Sequence, residues 1–169
     1  MASKADQSAK RKKVIDALNK ARSMELFAIA TYMQQHYTLA DDDYGVLATN
    51  MKKIAIDEMR HAEDFAERIK DINGEPTAEH AQKTVRGQDV YAIYPFDNQT
   101  ELDTIEAYNR FAATCRECGD IVSMRLFERI IEDEQRHQTY FEDIADHIQK
   151  LDKSFLARVS NTDIEGEAD

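Results

Sequence analysis

Glutamate and histidine three residues apart recur twice in this chain, as Glu58–His61 and Glu134–His137. On a helix that spacing puts both side chains on one face, so each pair presents a carboxylate and an imidazole to the same ion. Both pairs interrupt stripes that are otherwise apolar. One runs Leu47, Met51, Ile54, Glu58, His61, Phe65, Ile72, and the other Phe127, Ile130, Glu134, His137, Phe141, Ile144, Ile148, Leu151. A third stripe, Val14, Leu18, Ala21, Glu25, Ala28, Tyr32, holds a lone glutamate. A carboxylate buried in such a stripe is costly unless it is paired or bound to a metal. One Glu-x-x-His alone is a weak signal in a chain with 33 acidic residues and 5 histidines. Two of them, both at core positions, point to a metal site.

The elements that must position these residues are helices. The stripes alternate steps of three and four, the period of an amphipathic helix. The first helix is expected from about Lys10 to Leu39, a turn at Asp41–Asp43, and the second from Tyr44 to Asn73, with Gly74 as its C-terminal cap and Pro76 beyond. Glu75 to Gln99 reads as a long connection with a short extended run, Val90 to Tyr94. The third helix is expected to start at Thr100, with Asp103 three residues on, and to break at Gly119. Asp120 then caps the fourth. A short piece, Ser154–Val159, and a polar acidic tail, Ser160–Asp169, follow. A connection of that length crosses from one end of a bundle to the other and makes the second and third helices parallel. The expectation is one domain over residues 1–169: an all-α four-helix bundle, about 10–151, with a long crossover and a short fifth helix.

Register supports a shared site. Glu25 lies 16 residues before Asp41 and Glu58 lies 17 after it; Glu106 lies 13 before Gly119 and Glu134 lies 15 after it. Each hairpin therefore levels a lone glutamate with a Glu-x-x-His to within about 3 Å at 1.5 Å per residue. Glu25, Glu58, His61, Glu106, Glu134 and His137 together describe a dinuclear carboxylate site, with Glu106 included on symmetry because its own face (Leu102, Asn109, Ala113) is less apolar. Tyr32, two turns after Glu25, is either a hydrogen-bonding or electron-supplying neighbour of that site or a core tyrosine.

Composition narrows the function. The net charge of -11 argues against nucleic acid or an anionic membrane as partner and suits a protein that attracts cations. No apolar run is long enough to span a bilayer, and the polar N-terminus lacks a signal-peptide core, so a cytoplasmic location is expected. Cys115 and Cys118 form one C-x-x-C with no second pair, and read as small apolar residues on one helix face, with a redox pair as the alternative. His36, His80 and His147 have no matching partners and read as structural or exposed. Met59 directly follows a candidate ligand and so points about 100° away from it. With Ala55, Ala62, Ala66 and the stripe Leu26, Ala30, Met33, Tyr37 it gives the first two helices an apolar outer face, which by itself indicates an interface.

The segment Ile56-Asp57-Glu58-Met59-Arg60-His61-Ala62-Glu63, with Met24-Glu25-Leu26 before it and Glu132-Asp133-Glu134-Gln135-Arg136-His137 after it, resembles the bacterioferritins from about Val14 to Leu156. The resemblance implies a ferritin-like bundle with two iron ions per subunit. Glu58 and Glu134 would bridge them, with Glu25 and His61 completing one ion and Glu106 and His137 the other. It implies a ferroxidase that oxidises Fe(II) with O2 or peroxide and stores ferric mineral in a shell of 24 subunits built from twofold dimers. It also implies a haem shared between two subunits with Met59 as axial ligand. Leu26, Ile29, Ala30, Met33 and Ile56 would wall that haem, and a small redox protein would act as reductant. Lys53 departs from the pattern, standing where some members place a histidine of an inner-surface iron site; the neighbouring Asp57 is kept. The competing readings are another dinuclear bundle enzyme, a peroxidase or a manganese catalase, and a haem electron-transfer protein with an idle metal site.

Overall fold

The computed structural model describes residues 4–160; the acidic tail from residue 161 onward lies outside the described residues. Five helices follow one another, α1 (Lys4–Asp41), α2 (Gly45–Asp71), α3 (Val90–Glu117), α4 (Ile121–Leu151) and α5 (Lys153–Val159). The expected stripes of α1, α2 and α4 are the buried ones. Val14, Leu18, Ala21 and Tyr32 meet Met51, Phe65, Phe127, Ile130 and Phe141 with almost no exposed surface. Three positions toward the ends deviate, with Ile72 and Ile144 half-buried and Leu151 exposed.

The crossover runs back along α1. Asn19 and Arg22 bond the carbonyls of Glu75 and Thr77, the Ala81 N–H donates to the Ser23 carbonyl, and Gln35 reaches Gln88. The chain thus leaves α2 beside the start of α1 and enters α3 beside its end, which makes α2 and α3 parallel, as expected from the length of the connection. Gly74 matters here for space. A Cβ at this position would lie 2.7 Å from Ile69 and 3.1 Å from Ile15. The left-handed conformation expected of a cap belongs instead to Asn73, with φ 60°.

Two element boundaries differ from the sequence expectation. α1 starts at Lys4, before Lys10. α3 starts at Val90, ten residues before Thr100, and Val90–Tyr94 is helical rather than extended. The cause is Asp89, whose carboxylate accepts the N–H groups of Tyr91 and Ala92 and so satisfies donors that a helix start leaves open. Val90, Ile93 and Tyr94 then fall at helical spacing and are buried. Pro95 inside this helix leaves one carbonyl without its i+4 donor, that of the exposed Tyr91. The α3–α4 break comes where expected. Gly119 has φ 81°, and Asp120 caps α4 through the Ser123 N–H while holding Arg68 of α2 in a two-pronged ion pair.

Between the helices lie two apolar cores. One gathers Leu39, Leu47, Met51, Ile93, Tyr94 and Phe141 at the end closed by α5; the other gathers Leu18, Phe65, Ile69, Tyr108, Phe127 and Ile130 at the opposite end. A polar layer separates them.

Candidate dinuclear metal centre

That layer contains Glu25 of α1, Glu58 and His61 of α2, Glu101 of α3, and Glu134 and His137 of α4, none more than 7% exposed. Their ligand atoms form two overlapping sets, Glu25–Glu58–His61–Glu134 and Glu58–Glu101–Glu134–His137, in each of which all atoms lie within 4.8 Å of one another. Glu58 and Glu134 belong to both.

Glu106 is not among them. Its side chain is 74% exposed and paired with Arg110, while Leu102, Asn109 and Ala113 on the same face are exposed too. Five residues separate Glu101 from Glu106, about 140° around a helix, so only one of them can face the bundle axis. The buried face of α3 is Tyr94, Asp97, Glu101, Thr104, Tyr108. A signal for Glu101 was present in the sequence: Glu101 stands seven residues before Tyr108, as Glu25 stands seven before Tyr32. The structure shows why this spacing matters. The Tyr32 hydroxyl donates to Glu101 and the Tyr108 hydroxyl to Glu25, each crossing to the other helix. Tyr32 is thus a hydrogen-bonding neighbour of the centre.

The two Glu-x-x-His segments are matched in the same way. The Nδ1 of His61 lies 2.9 Å from Glu58, 3.3 Å from Glu134 and 3.8 Å from Glu25. The Nδ1 of His137 lies 2.9 Å from Glu58 and 3.3 Å from Glu134. The far nitrogens turn to the opposite helix, His61 Nε2 to Asp133 at 3.2 Å and His137 Nε2 to Asp57 at 3.8 Å. Each aspartate is in turn held by an arginine of its own helix, Arg136 and Arg60. A carboxylate on Nε2 fixes the ring so that Nδ1 faces the centre.

Electrostatics show what the cluster lacks. Burial raises the pKa of Glu25 and Glu101 well above the usual carboxylate range, and the charges of Glu134 and Glu58 add to the rise. Burial works against the charged imidazoles, but hydrogen bonds and charges from the glutamates outweigh it and lift His61 to about 12 and His137 to about 10. Glu58, against its own burial, is held at about 2, chiefly by His137. Glu58 Oε1 and Glu134 Oε1 still make no hydrogen bond, although a histidine nitrogen approaches each. Four carboxylates, two of them with a spare buried oxygen, and two imidazoles are a donor set for hard or borderline divalent metals.

Elsewhere, Met59 is 52% exposed beside half-buried Leu26, Ile29, Ala30, Met33 and Ile56. Lys53 is exposed. Cys115 is a buried free thiol pushed up to about 12 by burial, and Cys118 is half-buried. His36 bonds the Ala48 carbonyl, His147 stacks on Phe155, and His80 is exposed. No helix among the described residues is long and apolar enough to cross a membrane.

Residues 15–151 match the model of the ferritin-like domain. A bacterioferritin of Desulfovibrio desulfuricans is 60% identical over 150 residues, 89% of this chain and 84% of that one. One from Streptomyces coelicolor is 35% identical over 83% of this chain and 84% of its own, and one from Brucella melitensis 32% identical over 82% and 86%. A crystal structure of the Desulfovibrio desulfuricans bacterioferritin, described by its diiron site in different catalytic states, superimposes with a TM-score of 0.90 at 54% identity, covering 96% of this chain and 98% of that one.

Proposed function

Because the chain belongs to the bacterioferritin family, we propose that it oxidises Fe(II) at the six-residue centre and stores the ferric product. The observation that carries this reading is the pair of donor sets sharing Glu58 and Glu134. Glu58 and Glu134 would bridge two irons, Glu25 with His61 would complete one, and Glu101 with His137 the other. An iron pair supplies two electrons, one from each Fe(II), to O2 or peroxide.

The protein's own part is arrangement. Tyr32 and Tyr108 each bind one oxygen of Glu101 and Glu25, leaving the other oxygen for metal. Asp133 accepts from His61 Nε2, which keeps Nδ1 free to ligate once its proton is displaced. The two apolar cores above and below keep bulk water from the centre.

The same reading extends to assembly and cofactor. It takes the chain as one ferritin-like domain, cytoplasmic, closing into a 24-subunit shell through twofold dimers. A haem would sit between two subunits on both copies of Met59 and carry electrons from a small redox protein to release stored iron. The outward, half-exposed Met59 with apolar neighbours supports it. The test is Fe(II) addition in air. Wild type should turn over iron well beyond two per chain, and Glu134→Ala and His137→Ala should lose fast oxidation while keeping the helical spectrum. Wild-type rates in both variants would sink the assignment.

A further inference from the structure

One buried carboxylate stands apart from the centre. Asp97, on α3 one turn before Glu101, is fully buried, and its one hydrogen-bond partner among the described residues is Gln35, whose Nε2 lies 2.8 Å from Oδ1. Its Oδ2 has no partner; neither do Gln35 Oε1 and Thr31 Oγ1, on residues 2% and 0% exposed. Thr31 and Gln35 are one turn apart on α1, either side of Tyr32, which holds Glu101. Gln35 Nε2 is shared with Gln88 Oε1 at 2.9 Å, and Gln88 is half-buried at the end of the crossover. A line of polar groups therefore runs from the surface to within a turn of Glu101, carrying three buried oxygens without a hydrogen-bond partner among the described residues.

We propose that Asp97, Gln35 and Thr31 form an inner station at which a divalent cation halts on its way from the crossover face to the Glu101 side of the dinuclear centre. The proposal rests on the dinuclear reading of that centre. An all-oxygen set with a single carboxylate suits a hard divalent ion that keeps part of its water and is held loosely enough to move on. Buried groups of this kind are ordinarily paired, so unpaired oxygens on Asp97, on the Gln35 that bonds it and on Thr31 one turn along α1 call for an occupant.

The other approach to the centre is less suited to cations. Beside His61 a cavity of about 400 Å³ opens between α2 and α4, lined by Asp57, Asp64 and Asp133. Each of these carboxylates is already paired with an arginine, Arg60, Arg129 and Arg136 respectively, and a fourth, Glu63, also lines the cavity. The three guanidinium charges offset most of the attraction these carboxylates would hold for an arriving metal ion. Asp97 has no cationic partner: burial raises its pKa well above the ordinary range and only the Gln35 hydrogen bond opposes the rise.

The test is anaerobic stopped-flow uptake of Co(II) by the full chain, followed by its visible bands, in wild type, Asp97→Asn and Asp97→Glu. The asparagine still accepts from Gln35 through Oδ1, so the fold is kept, but it puts an N–H₂ in place of the free oxygen. Asp97→Asn should reach the wild-type saturation of two Co(II) per chain at least tenfold more slowly, and Asp97→Glu should recover most of the rate. Uptake by Asp97→Asn at the wild-type rate overturns the station. So does an equally slow Asp97→Glu, because packing rather than ligation would then set the rate, and so does the loss of one Co(II) at saturation, which would make Asp97 a ligand of the centre. A wild-type chain that binds no cobalt pair overturns the dinuclear centre itself, and the station with it.

Discussion

At the scale of single residues, the centre is a balance between buried acids and the positive charge that must offset them. Five of the six residues in it are readable from the sequence because each breaks an apolar stripe; Glu101 is not, because Pro95 and the β-branched and aromatic run before it hide the start of α3 and with it the phase of its stripe. The Glu-x6-Tyr repeat, Glu25–Tyr32 and Glu101–Tyr108, would have supplied the phase. The two glutamates of α3 should therefore separate cleanly. Glu101→Ala is expected to slow initial Fe(II) oxidation by about 100-fold or more, since even outer partners of metal ligands are worth 10–100-fold. Glu106→Ala, on the exposed face, should stay within about twofold, as surface changes usually do. Equal effects in the two variants, read from the ferric absorbance, would restore Glu106. The raised pKa values give a second expectation. His61 (about 12) and His137 (about 10) hold protons at pH 7 in the metal-free site, burial raises Glu25 and Glu101 well above the usual carboxylate range, and ligation requires the loss of whatever protons these groups hold. Zn(II) binding in weak buffer should release protons, and affinity should climb with pH. The sign for metal-free stability is the reverse. All four groups bind protons more tightly folded than unfolded, so their contribution is present at low pH and lost as pH rises through their folded pKa values. The melting temperature of the metal-free chain should fall between pH 6.5 and 10, and added metal should remove the fall. A pH-independent melting curve over that range would count against the protonated cluster.

At the scale of elements, helix period carried most of the fold and local capping chemistry decided the rest. α1, α2 and α4 were legible because their stripes are long, apolar and unbroken by proline. The start of α3 was hidden by Pro95 and by the β-branched and aromatic residues Val90, Ile93 and Tyr94, which read as an extended run although their spacing also suits a helix. What tips the balance is Asp89, a two-bond cap that the run itself does not reveal. This cap positions the site indirectly, because the early turns of α3 set the rotation at which Asp97 and Glu101 face inward. Asp89→Ala should cost about 1 kcal/mol, the usual loss for removing such a cap. Amide exchange in Val90–Tyr94 should rise more than in the rest of α3. If exchange there is unchanged, burial of Val90, Ile93 and Tyr94 rather than the cap fixes where α3 begins.

At the scale of the whole molecule, one stretch of α2 faces two ways. Glu58 and His61 turn to the bundle axis, and Met59, about 100° around the helix from Glu58, turns outward with 52% of its surface exposed. Around it Leu26, Ile29, Ala30, Met33 and Ile56 are half-buried and Tyr37 is exposed, an apolar face on a chain of net charge -11. A face of that kind on so charged a protein is a place for association, and in the proposed shell it is where a twofold partner and a flat apolar cofactor meet. A thioether is a neutral ligand that suits haem iron. Ala55 and Ala62, expected on this outer face, are instead buried against the bundle. Because Met59 touches no part of the six-residue centre, the two functions should come apart in one variant. Met59→Leu keeps the volume and the apolar character of the side chain and removes only the sulfur. It should leave the particle size in light scattering and the initial rate of Fe(II) oxidation as in wild type. The porphyrin absorbance should be lost, and reductive release of stored iron should slow. A variant that still binds half a porphyrin per chain with an unchanged spectrum would reduce Met59 to an interface residue, and a particle near 19 kDa in wild type would remove the shell on which the haem role depends.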